Sequence, residues 1–90
     1  MRKDERYGLI KHLIESRHIT QFRQIFNYLP KTVMARELSK NTSRMTDLID
    51  RPEELKLQEV FIISELIDIH YIEIVKLIMQ EISARPSRRK

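Results

Sequence analysis

Apolar residues fall at helical spacing along nearly the whole chain, and the breaks between runs are sharp. Leu9, Ile10, Leu13 and Ile14 form i and i+4 pairs that predict an amphipathic helix over about residues 7–17, with Lys11, Glu15 and Arg17 toward water. Ile19-Thr20 opens a second helix, with Thr20 as its cap and Phe22, Ile25, Phe26 and Leu29 as its buried stripe. Pro30 ends that helix, because a residue before proline is biased away from helical geometry, and Pro30 itself suits the first turn of the next. Residues 31–49 then read as two short helices. Val33, Met34 and Leu38 surround Ala35 in the first, and Met45, Leu48 and Ile49 line the second, at about 42–50. Between them, Ser39-Lys40-Asn41-Thr42-Ser43 is a cluster of turn and N-cap formers.

A polar linker follows, from Asp50 to Lys56. Its Arg51 can reach phosphate, while Glu53 and Glu54 would turn away from it. Leu57, Val60, Phe61, Ile63 or Ser64, Leu66 and Ile67 predict the inward face of a further helix, broken at Asp68-Ile69-His70. The last helix runs from Tyr71 to about Ile82. Tyr71, Ile74, Val75, Ile78 and Ile82 form one stripe, but Ile72, Leu77 and Met79 lie outside it. A helix apolar on more than one side is buried on more than one side. In so short a chain another copy of the protein is the simplest cover, so Tyr71, Ile72, Val75, Leu77, Ile78, Met79 and Ile82 are the expected homodimer interface.

One Gly and three Pro among 90 residues point to an all-α fold, a compact bundle of five to six short helices. Residues 1–84 make one domain, and 85–90, basic and without an apolar anchor, form a tail expected to be disordered. The absence of cysteine excludes disulfides and thiolate metal sites and suits the cytoplasm. No apolar run approaches the roughly 20 residues of a membrane span, and no signal peptide precedes the first helix. The net charge of +4 is unevenly spread: +5 over residues 1–51, −5 over 52–84 and +4 over 85–90. A basic half beside an acidic one is the layout of a polyanion-binding face with a solvated back.

The stretch from Leu29 to about Ile69 resembles the phage-repressor-like (Xre-type, lambda-repressor-like) helix-turn-helix family. The residues that carry the likeness are Ala35, the turn residue Ser39 four positions on, the aliphatic pair Met45 and Leu48, Pro52 in the linker and the Leu57–Ile69 segment. Ser39 stands where the family usually has glycine, which implies a left-handed residue at some cost. The resemblance implies a bacterial transcription regulator that binds double-stranded DNA with the helix at about 42–50 in the major groove. Asn41, Thr42, Ser43, Thr46 and Asp47 would face the groove, and Arg44 would take a phosphate. Lys31, Thr32, Arg36, Lys40 and Arg51 would hold the backbone. A carboxylate at Asp47 is tolerated there only where it accepts from a cytosine amino group.

Other chemistry finds less footing. The carboxylates are scattered along helical faces, the single glycine, Gly8, makes no phosphate loop, and His12 and His18 lie six apart, off a common face. His70 fits a capping or surface role. No enzyme activity, cofactor, metal site or small-molecule ligand is expected. The reading from a different class is a helical protein-interaction or dimerisation module, an adaptor or antitoxin-like partner without DNA binding, favoured by Asp47, the acidic second half and the over-apolar last helix.

Overall fold

Helix α1, Arg6–Glu15, begins where Asp4 collects the first free amide: its Oδ1 accepts from the Arg6 N–H at 2.9 Å, and its two oxygens bind the Arg6 guanidinium at 2.8 and 2.6 Å. A computed structural model describes residues 4–85. Tyr7, Ile10 and Ile14 form the buried stripe of α1, whereas Leu9 is exposed and Leu13 half-buried. The inward face is thus rotated from the expected one, with the aromatic body of Tyr7 taking the place of Leu9. Arg17, at φ 69°, ends the helix in the left-handed region, and the amides of His18 and Ile19 donate back to the Leu13 carbonyl.

The second segment is a 3₁₀ helix, Phe22–Asn27, rather than a full α-helix. Its start is held by its own Gln24 and by Glu81 of the last helix, not by Thr20. Gln24 Oε1 accepts from the amides of Thr20 (2.7 Å) and Gln21 (3.1 Å), and the buried Glu81 accepts from the Arg23 N–H at 3.0 Å. Phe22, Ile25 and Leu29 are buried as expected, and Phe26 meets Phe22 edge-on at 5.5 Å.

Pro30 caps α2 (Lys31–Glu37), one position before its first turn. Ser39 is left-handed at φ 57°, which lets Lys40 N–H donate to the Ala35 carbonyl at 2.8 Å and turns the chain into α3, Thr42–Asp50. Asn41 starts α3 by accepting the Arg44 N–H on its Oδ1 at 2.7 Å. Met34 and Ala35 of α2 and Met45 and Leu48 of α3 are buried, so the two helices are seated on the core by one face each.

A 3₁₀ turn at Pro52–Glu54 leads to α4, Leu57–Ile67, whose Glu59 accepts the Lys56 N–H at 3.0 Å. Val60, Ile63, Ser64 and Ile67 face inward. Leu57 and Phe61, expected there too, are 74% and 47% exposed. Asp68, left-handed at φ 70°, forms the expected break, and His70 Nδ1 accepts the Ile72 N–H at 3.1 Å to cap α5, Tyr71–Ala84. The described residues form an all-α bundle of five α-helices and two 3₁₀ segments around one apolar core. No helix among them is long and apolar enough to cross a membrane.

Two further expectations change. Leu77 and Ile78 are 4% and 8% exposed and belong to the core of the single chain, so neither is available to a second copy. Arg85, counted with the tail, is anchored: its guanidinium grips Glu53 through both carboxylate oxygens at 2.9 and 3.0 Å and donates to the Asp50 carbonyl at 3.0 Å. The remaining tail, 86–90, lies outside the described residues.

Candidate nucleic-acid interface

The outer surface of α2 and α3 is built on the buried row of Met34, Ala35, Met45 and Leu48, which fixes the opposite sides of both helices toward solvent. Lys31, Thr32 and Arg36 of α2 and Thr42, Ser43, Arg44 and Asp47 of α3 are all exposed there. Lys31 reaches across from α2 and donates from Nζ to Thr46 Oγ1 at 2.8 Å, while the Thr46 hydroxyl donates to the Thr42 carbonyl at 3.0 Å. These two bonds tie the start of α2 to the first half of α3. Thr46 is therefore half-buried and occupied, less open than expected.

Two other expected backbone contacts are committed inside the molecule. Lys40 Nζ lies 2.7 Å from Glu59 Oε2, with side-chain exposures of 24% and 11%. The pair joins the α2–α3 turn to the first turn of α4, so Lys40 is a structural tie and not a free phosphate ligand. Burial works to raise the Glu59 carboxyl, but hydrogen bonds from Lys40 and the Lys56 N–H outweigh it and hold the group below its ordinary range. Asn41 remains exposed, but its Oδ1 is spent on the Arg44 amide, leaving only its NH₂ group for other partners.

Charge divides along α3. Glu54 stands between two arginines, 3.4 Å from Arg44 and 3.4 Å from Arg51. Together with Asp47 and Asp50 these residues line a surface depression of about 370 Å³ holding two positive and three negative charges. The outer side of α2 thus carries Lys31 and Arg36 without a carboxylate partner among the described residues, the first turn of α3 carries the uncharged Thr42 and Ser43, and the last turn of α3 is acidic. The guanidinium of Arg85 holds the Glu53 carboxyl below its usual range, mainly by hydrogen bonding, and covers the C-terminal carbonyls of α3 where a cation suits the helix dipole.

The neutralising role of Glu54 was only half visible in the sequence. The Arg51–Glu54 spacing of three is a recognisable pair, but Arg44–Glu54 needs the linker to fold back over α3. The Arg85–Glu53 and Lys40–Glu59 contacts, 32 and 19 residues apart, have no local signal at all. Compared with known proteins, the chain matches no family model, no curated protein and no solved structure.

Proposed function

We propose that this protein binds double-stranded DNA as a transcription regulator, seating the first half of α3 in the major groove. Thr42, Ser43 and Asp47 take the groove side, Lys31, Thr32 and Arg36 flank it from α2, and Arg44 and Arg51 bind phosphates after leaving Glu54. The observation that carries this reading is the α2–α3 pair itself. A left-handed Ser39 and an Asn41 cap join two short helices through a tight turn, each with one buried and one exposed polar face. Pairing of two copies through α5 belongs to the same reading, since a dimer presents two such helices to one duplex.

Fluorescence anisotropy with fragments of the source genome, at two salt concentrations, tests it. Neutralising about four phosphates per subunit would lower log affinity by roughly 3.6 per subunit, or roughly 7 for the dimer, for each tenfold rise in salt. Combined Ser43→Ala and Arg44→Ala should weaken binding at least tenfold, and binding indifferent to that pair removes α3 from the account. A second reading, a protein-interaction module, draws support from the acidic last turn of α3 and from the exposed apolar residues of α4 and α5. A dimer without duplex affinity at low salt would favour it.

A further inference from the structure

Helix α5 has two apolar sides, and the single chain covers one fully and the other only in part. Ile74, Leu77 and Ile78 point into the core. On the other side Ile72, Val75, Met79 and Ile82 recur at intervals of three, four and three, all exposed or half-buried. That is the narrow heptad seam along which one helix lies on another, not the broader stripe that faces a globular core. A shallow groove follows it, bordered by Lys76, Gln80 and Ser83. Toward α4 the apolar surface continues, because the rings of Tyr71 and Phe61 meet edge-on at 4.7 Å and Leu57 lies one turn before Phe61. The exposed fractions of Leu57, Phe61, Tyr71, Ile72 and Met79 correspond to on the order of 500 Å², near the top of what a monomer leaves in one patch.

We infer that a second copy of the chain occupies this face, its α5 crossing the first antiparallel about a two-fold axis at the level of Leu77. This deepens the pairing stated above but uses no residue of α2 or α3, so it stands or falls apart from DNA. The pattern is its own reverse: intervals of three, four and three read the same from either end, about a centre at the level of Leu77. Turning the helix round lays Ile72 on the partner's Ile82 and Val75 on the partner's Met79, as a two-fold contact requires. Area agrees. A standard interface takes about 800 Å² from each partner, somewhat over half of it apolar, close to the apolar surface available here. The composite face also accounts for the exposed parts of Leu57 and Phe61 on α4.

Sedimentation of the full chain without DNA, from low-micromolar to submillimolar concentration, tests the proposal. The expected species has twice the 10.9 kDa chain mass, with micromolar self-affinity. Ile72→Glu with Met79→Glu, both at exposed positions, should weaken association about 100-fold with helical content unchanged, as loss of central apolar anchors does. In the cysteine-free chain, Val75→Cys together with Met79→Cys should oxidise to a cross-linked dimer, whereas Ile72→Cys alone, well away from the axis, should not. A monomer at every concentration, or a dimer indifferent to the double substitution, would overturn the proposal. Cross-linking at Ile72→Cys alone would overturn the antiparallel arrangement. A dimer with no duplex affinity leaves it intact while removing the DNA reading, and a monomer that binds duplex does the reverse.

Discussion

The Tyr7 hydroxyl is buried beneath α1 with no hydrogen-bond partner among the described residues, while its ring fills part of the core. Burial, with the charge of Glu37 behind it, pushes the phenol up to about 12. An unpaired buried hydroxyl costs stability that its ring does not need, so Tyr7→Phe should stabilise the chain by about 1 kcal/mol, raising the thermal midpoint by about 4–8 °C. The Lys40–Glu59 pair has the opposite sign. Because the folded Glu59 carboxyl is depressed, its contribution is complete above the unfolded value of 4.5 and is lost as pH falls through the folded value. Thermal melts of Glu59→Gln should therefore show a loss of about 2 kcal/mol at pH 7 and a much smaller difference from the unmodified chain at pH 3. A constant difference across that range would mean that packing, not charge, holds the turn to α4.

At the scale of elements, local chemistry made α3 legible from residues alone. Asn41 as cap, Met45 and Leu48 as the inward pair and Pro52 just beyond its end bound a helix at 42–50, which is where it lies. The turn itself was legible from the turn formers at 39–43, whereas the left-handed conformation of Ser39 was an expectation of the family resemblance. What failed needed tertiary information. The start of the Phe22–Asn27 segment is tied to Glu81 from α5, and the exposure of Leu57 and Phe61 depends on how α4 lies against α5. In the candidate site, the same limit hid the acids that answer its arginines. Glu54 supplies a measurable consequence: Glu54→Gln frees Arg44 and Arg51 and should raise duplex affinity about threefold, with a steeper salt dependence. Glu15→Gln, which removes the same charge from α1, should produce a smaller change, and equal gains would assign the effect to net charge alone.

Over the whole molecule, two tethers make α3 and α5 answer to each other. Arg85 clasps Glu53 and the Asp50 carbonyl at the end of α3, and Glu81 anchors the 3₁₀ segment that packs beside them. A second copy seated on α5, as proposed, would thereby fix the direction of both α3 helices. The most direct measurement of the central claim is an amide NMR titration of the ¹⁵N-labelled chain with a duplex fragment selected by affinity at low salt. The account predicts that the shifts concentrate on Lys31–Arg36 and Thr42–Asp47 and disappear as salt is raised. Shifts confined to α4 and α5, or no shifts at all at low salt, would contradict it.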